Sequence, residues 1–447
     1  MANVSTTRSP LMALLVRLHF YIGIFVGPFL LVAALSGIAY ALSPQLEPML
    51  YRHALYTQSQ GDPMPLAKQV AAAEHYLHHG GTLFAIRPAP QPGMTTRVQF
   101  AEPGLRPSES RAVFVDPVTG EIRGDHVVYG TSGVLPLRGL IDQFHRGLLL
   151  GDVGRLYSEL AASWLWIAAL GGLAIWYVRR RQARPSLRTM RRWHARVGLC
   201  LMLGLLFFSA TGLTWSQYAG DRIGVLRQHY GWATPSVVTS LTGDAAIPAE
   251  HADHMAHHMA EMPDTPDVAS VDRVLATARE AGIDADLIEM RPPRNADQAW
   301  TVSEVDRRWP TRVDAVSVDP RHLTVLDHVR FADYPLAAKL TRWGIDLHMG
   351  VLFGFANQLI LSVFALGLVA MTIWGYLMWW RRRPAMRTYH GPVRTFMALT
   401  AAARMSVVVV AVALGYALPV LGASLVLFLL VDVLLSLRLR KTAVQAG

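Results

Sequence analysis

His19-Phe20-Tyr21-Ile22-Gly23 opens an apolar stretch that closes on Ser36-Gly37, and His194-Ala195-Arg196-Val197-Gly198 opens another that closes on Thr211-Gly212. The offsets from each histidine are the same: four, seventeen and eighteen residues. A second pair repeats further along, where His145-Arg146-Gly147 with Gly151 is answered by His348-Met349-Gly350 with Gly354. Each half of the chain therefore carries two histidines, each at one end of an apolar segment. Ionisable groups beside lipid are costly and generally have a task.

The composition supports a membrane reading: 52% of the 447 residues are hydrophobic and 17% are charged. Runs long enough to cross a hydrocarbon core of ~30 Å as helices fall at about 18–42, 156–178, 195–217 and 352–379. The stretch 395–437 is too long for one span and contains Pro419, so it reads as two, with Arg404 and Asp432 placed awkwardly inside them. Six spans are expected. The first is retained rather than cleaved, because its apolar run outlasts a signal-peptide core and His19 has a counterpart that cannot be removed.

The net charge of +10 is distributed as a membrane protein requires. Eight arginines lie between Arg179 and Arg196, five between Arg381 and Arg394, and Arg438, Arg440 and Lys441 sit near the C-terminus. These clusters alternate with the spans and by the positive-inside rule place both termini and both Arg-rich loops in the cytoplasm. The long polar stretches then lie outside. Nucleic-acid binding is disfavoured, since the arginines do not belong to one folded surface.

The polar stretches repeat as well. Arg87-Pro88 leads through strand-like residues to Val115-Asp116-Pro117, and Arg291-Pro292 leads likewise to Val318-Asp319-Pro320. Helix-like segments, Pro65–Tyr76 and Val268–Ala281, precede the two strand regions. Asp116 to Gly120 has turn chemistry, with Gly120 suited to a left-handed position. The expected fold is an α-helical integral membrane protein with two α+β periplasmic domains and a duplicated two-plus-two transmembrane core, followed by a C-terminal helical hairpin. The expected divisions are 1–42, 43–155, 156–217, 218–350, 351–394 and 395–447. A parallel repeat brings His19 near His194 toward the cytoplasmic face, and His145 near His348 toward the outer face.

Two neutral imidazoles on opposing helices, with glycines that let a macrocycle approach, are what a bis-histidine haem needs. His19, His194, His145 and His348 are the axial-ligand candidates. Asp142 and Asp346, just before the outer histidines, are candidates to orient a ring nitrogen. His53 and His229 are alternative outer partners or plain loop residues. The second half carries 28 extra residues before Arg291. Within them His251, His254, Met255, His258 and Met259 form a candidate copper or zinc site. The lone Cys200 excludes an internal disulfide, a CxxCH haem attachment and an iron–sulfur cluster held by the chain's own thiolates.

The patterns Leu18-His19-x3-Gly23, Trp193-His194-x3-Gly198, His145-Arg146-Gly147-Leu148-Leu149-x-Gly151 and His348-x-Gly350-x3-Gly354 resemble the PepSY-associated transmembrane helix family. So does the span ending Trp380-Arg381-Arg382-Arg383. The segment Val115-Asp116-Pro117-x-Thr119-Gly120 looks like a PepSY-type module. The resemblance covers roughly residues 8–385. It implies a multi-pass protein of the bacterial inner membrane linked to iron uptake, with some members similar to ferric-siderophore reductases carrying two haems b. On that basis the expected partners are membrane lipid, a ferric chelate or siderophore, and a cytoplasmic reductase or quinol as electron donor. No GxGxxG fingerprint suggests direct nicotinamide use. Two other readings stay open: a non-redox protein whose PepSY-like domains bind periplasmic peptides or regulate a protease, and a copper-handling protein using the His/Met insertion.

Overall fold

The computed structural model describes residues 9–130, 132–180, 189–242, 268–381 and 391–445. The His/Met insertion, His251 to Met262, lies outside the described residues, as does most of the first Arg-rich loop. The chain forms two compact units, each assembled from separated segments. A helical unit takes residues 1–39, 143–226 and 359–447, and a sheet unit takes residues 40–142 and 227–358.

Helices α1 (Pro10–Phe25) and α2 (Gly27–Leu42) occupy the first apolar run. The run read as a single span from 18 to 42 starts earlier and breaks at Val26. The cause is Pro28, which has no N–H to offer the carbonyl four residues back. That carbonyl, Ile24 O, instead accepts from the hydroxyl of Tyr376 at 2.5 Å. Gly27 makes room, since a Cβ there would meet the Tyr376 ring at 3.1 Å.

The helical unit continues with α5 (Gly151–Arg180), α6 (Thr189–Thr214) and α10 (Gly354–Trp380), after which come α11 (Pro392–Met397), α12 (Ala401–Ala417) and α13 (Pro419–Gln445). Among the described residues five helical segments are long and apolar enough to cross a membrane: Gly27–Gln45, Gly151–Arg180, Thr189–Thr214, Gly354–Trp380 and Pro419–Arg438. α1 and α12 are shorter apolar helices. The protein is thus a multi-pass membrane protein. Its helices pack through Ile22, Leu30, Trp164, Leu201, Leu205 and Leu368, while their outer faces leave large apolar side chains exposed. That is the arrangement expected where lipid is the solvent.

The C-terminal stretch turns at Leu418. Gly415 and Gly422 come into backbone contact there, whereas residues seven apart on a straight helix stand about 10.5 Å apart. Asp432 is not stranded in lipid: it is 2% exposed and accepts from the backbone N–H of Val393, at the start of α11.

The sheet unit holds eight antiparallel strands in the order β4-β3-β2-β1-β5-β6-β7-β8. They are β1 (Thr82–Arg87), β2 (Thr96–Ala101), β3 (Glu109–Val115), β4 (Ile122–Tyr129), β5 (Ile288–Arg291), β6 (Trp300–Glu304), β7 (Ala315–Val318) and β8 (Val325–Val329). The two polar stretches that the sequence separates thus share one sheet, joined where Ile86 of β1 faces Met290 of β5. Helices α3 (Leu66–Tyr76) and α8 (Val271–Glu280) form at the expected places and cover one face. Val70, Ala73, Val274 and Ala278 pack there on Ile86, Val98, Met290 and Trp300. Asp272 ties the pair together by accepting from the first free N–H groups of α3, Leu66 and Ala67.

Matching turns close β3–β4 and β7–β8. Asp116 Oδ1 accepts from the N–H groups of Val118 and Thr119, and Asp319 Oδ1 from that of Arg321. Gly120 takes φ +76° as its turn chemistry requires, and Leu323 occupies the corresponding place at φ +55°. Burial alone would raise the Asp116 carboxyl. Hydrogen bonds from Ser59, Thr57 and the two turn N–H groups outweigh it and hold it at about 2.

Candidate functional site

His19 on α1 and His194 on α6 meet inside the helical unit, with ring centres 6.4 Å apart and planes at 84°. Each ring is anchored in the same way. The Nδ1 of His19 lies 3.0 Å from Ala168 O on α5, and the Nδ1 of His194 lies 3.1 Å from Met371 O on α10. A carbonyl oxygen only accepts, so both Nδ1 atoms carry the proton and both Nε2 atoms keep their lone pair. Ala168 follows His145 by 23 residues and Met371 follows His348 by 23. The repeat therefore extends to the anchors.

Gly172 lies directly against the His19 ring, where an added Cβ would come within 3.1 Å of Cε1. Gly375, its sequence counterpart, has nothing within 4 Å. The two halves differ in this detail.

His145 ends helix α4 (Pro136–Gly147) and packs in the helical unit on Gly37, whose added Cβ would meet its Cε1 at 3.4 Å. Its Nδ1 is 2.9 Å from Ser36 Oγ. Ser36 has one hydroxyl proton and also lies 2.7 Å from Val32 O, an atom that can only accept. Both contacts are satisfied when Ser36 donates to Val32 and accepts from the Nδ1–H of His145. His145 then has the same tautomer as His19 and His194. Gly151 and Gly354, which start α5 and α10, take φ +61° and +56°, and this explains their place in the duplicated motif.

His348 ends helix α9 (Leu336–His348) in the sheet unit. Two residues before it, Asp346 is fully buried and accepts from Arg307 Nε at 2.6 Å, with Arg342 Nε 3.2 Å from its other oxygen. Burial pushes the Arg342 guanidinium down to about 10, helped by the like charge of Arg307 and opposed by Asp346. Asp142 lies on α4 three residues before His145 and so on the same helix face. His53 Nδ1 lies 2.5 Å from Arg123 O, and His229 ends helix α7 (Tyr218–His229) against Tyr230. Among the described residues no three His, Cys, Asp or Glu side chains converge as a metal-binding group.

Several contributors escape a reading of the sequence. Ala168 and Met371 act through main-chain oxygen, which any residue supplies. Their common offset of 23 was the only available signal. Arg307 lies 39 residues before Asp346 in a segment with no pattern. Ser36 was visible in the motif, but only as the residue that closes the apolar stretch with Gly37, with no role assigned to it.

The donor set suits a haem iron or another imidazole-binding metal. With Nδ1 of each ring held by a carbonyl, each Nε2 keeps its lone pair, and His19 and His194 are the residues that would hold such a group. Apolar helices bearing anchored, paired imidazoles, joined in one chain to an antiparallel α+β unit, define a class of multi-pass membrane protein. The chain belongs to the PepSY-associated TM region family, which matches residues 16–382. No curated protein matches it.

Proposed function

We propose that this protein is a transmembrane electron-transfer protein of the bacterial inner membrane that reduces a ferric chelate, of the ferric-siderophore reductase kind. The observation that carries this reading is the pair His19 and His194: two half-buried imidazoles at 6.4 Å, each with Nδ1 tied to a helix carbonyl. His19 and His194 would hold one haem b, and His145 and His348 are the candidates for a second. Haem held there would supply reversible one-electron chemistry. The chain's own residues do the rest. The carbonyls of Ala168 and Met371 fix the ring tautomer and strengthen Nε2 as a donor. Leu201, Leu205 and Leu368 exclude water from the surrounding helices, and the lone Cys200 leaves no thiolate set to compete.

Both termini and the Arg-rich loops are then cytoplasmic, where a reductase or quinol supplies electrons, and the sheet unit is periplasmic. The repeated histidine, carbonyl and aspartate offsets fit an internally duplicated core with two PepSY-like modules sharing one sheet. Reduction of iron(III) to iron(II) weakens its hold on hard oxygen ligands and releases the metal.

The test is the absorption spectrum and haem content of detergent-purified protein made with ample haem supply. About two haems per chain are expected, with a Soret band at roughly 410–430 nm, and His194→Ala removes about one. Protein without haem overturns the reading.

A further inference from the structure

The sheet has one apolar face and one that is not. Ile86, Val98 and Met290 point into the core beneath α3 and α8. Side chains alternate along a strand, so Arg87, Arg97, Glu289 and Arg291 point from the opposite face at the centre of the sheet. Arg87 and Arg97 stand directly opposite each other across the β1–β2 pairing, and like charges so placed are destabilising. The same face carries an apolar cluster only toward β3 and β4, where Ala112, Phe114 and Val128 pack with Ala54 and Leu135.

A short loop gathers the arginines. Arg87 donates to Ser132 O at 2.9 Å, Arg97 to Gly133 O at 2.6 Å, and Arg307 to Ser132 Oγ at 2.7 Å. Gly133, at φ +56°, lets the loop settle there, since a Cβ would meet Arg97 Nη1 at 2.8 Å and Arg87 Nη1 at 3.1 Å. Arg87 and Arg291 share Glu289, and Arg307 and Arg342 share Asp346. Arg138 stands by Glu47, and Asp142 lies close enough to the group to act electrostatically on the same Tyr40 as Arg138 and Arg307. Asp314 acts in the same way on Tyr334 together with Arg342, so six arginines meet five carboxylates, an excess of one positive charge in a largely buried place. Four of these side chains nevertheless keep an accessible edge: Arg87 15%, Arg291 26%, Arg307 13% and Arg342 30%. Recessed guanidiniums with surplus charge and an open edge suit a carboxylate, whose two oxygens match the guanidinium fork.

We propose that this face of the sheet, opposite α3 and α8 and centred on Arg87, Arg97, Arg291 and Arg307, binds a ferric chelate that is anionic and carries carboxylates. The proposal names the substrate class of the reductase and so rests on that reading; the binding site itself can be tested without it.

The experiment is calorimetric titration of the full-length, detergent-solubilised protein with ferric citrate, alongside a cationic ferric hydroxamate. Saturable ferric citrate binding that weakens with added salt is expected, about tenfold or more weaker in Arg97→Gln and Arg291→Gln, with Arg97→Lys partly restored. Phenylglyoxal labelling read by mass spectrometry on the unmodified protein provides an arm that needs no variant. Ferric citrate should protect Arg87, Arg97 and Arg291. Absent protection, unchanged binding in both variants, or tighter binding of the cationic chelate overturns the proposal. Loss of haem from Arg97→Gln, with no ferric citrate bound by the unmodified protein, also overturns it and assigns the arginines to the haem's own carboxylates. Ferric citrate binding to protein that carries no haem overturns electron transfer and leaves this site standing.

Discussion

The imidazoles of His19 and His194 stand with ring centres 6.4 Å apart, and each gives its Nδ1 to a carbonyl that lies 23 residues beyond the other histidine of its own half. Proximity and tautomer are thus fixed together. Neither ring can turn over without taking its N–H away from a helix carbonyl in an apolar bundle, and a ring donor left unpaired there costs about 1–3 kcal/mol.

That anchoring predicts a tautomer. In protein labelled with 15N at histidine, both His19 and His194 should show a protonated Nδ1 and a bare or ligated Nε2. A protonated Nε2 on either ring would mean that the ring is reversed and unfit as a ligand through that atom. Ser36→Ala should leave these two signals unchanged and alter only that of His145, whose Nδ1 partner it removes.

The contrast between Gly172 and Gly375 gives a paired substitution. Gly172→Ala places a methyl group 3.1 Å from His19 Cε1, whereas the same change at Gly375 meets nothing within 4 Å. The first must push the ring by a few tenths of an ångström and strain its bond to Ala168. A loss of about 1–3 kcal/mol in stability is expected for such overpacking, with a shifted spectrum or reduced content of any haem held by His19. Gly375→Ala should be close to neutral. Equal effects from the two would show that the His19 ring is not held against α5.

Much of this was legible beforehand because the chain states it twice. The histidines, the turn aspartates Asp116 and Asp319, and helices α3 and α8 all sit at repeated offsets. Side-chain identity was what carried them. Where main-chain atoms do the work, as at Ala168 and Met371, residue type carries no signal. Arg97 illustrates another limit. In Thr96-Arg97-Val98-Gln99-Phe100 the alternation marks Arg97 as outward, and nothing local shows that the outward face is itself recessed. Asp346 was singled out for standing beside His348, but its strong partners, Arg307 and Arg342, were not predicted. The break at Val26 could have been read from Pro28, yet the apolar run around it masked the interruption.

The sheet centre predicts a pH dependence. Burial alone would raise the Glu289 carboxyl, but Arg87 and Arg291 outweigh it and hold it at about 2, against 4.5 unperturbed. A depressed carboxylate contributes stability that is complete above its unfolded value and is lost as pH falls toward the folded one. The window therefore runs from about pH 4.5 down to about pH 2, and the contribution is on the order of 3 kcal/mol at most. Unfolding of the unmodified protein and of Glu289→Gln should differ most at pH 6 and converge as pH approaches 2. A difference that stays constant across that window would mean that Glu289 is not held ionised by its two arginines.

The break in the first apolar run predicts a coupling between two residues far apart in sequence. Pro28 removes the donor for Ile24 O, and the Tyr376 hydroxyl replaces it at 2.5 Å. Tyr376→Phe leaves that carbonyl unpaired beside lipid, at a cost of about 1–3 kcal/mol. Pro28→Ala restores a backbone N–H to the position and so gives the carbonyl a second possible partner. In the Pro28→Ala background, Tyr376→Phe should therefore cost less than it does alone, with a coupling energy of about 0.5–3 kcal/mol, the range found for groups in one network. Thermal or denaturant unfolding of the four proteins in detergent closes the cycle. Strict additivity would show that the tyrosine packs against Gly27 without serving the carbonyl that Pro28 leaves open.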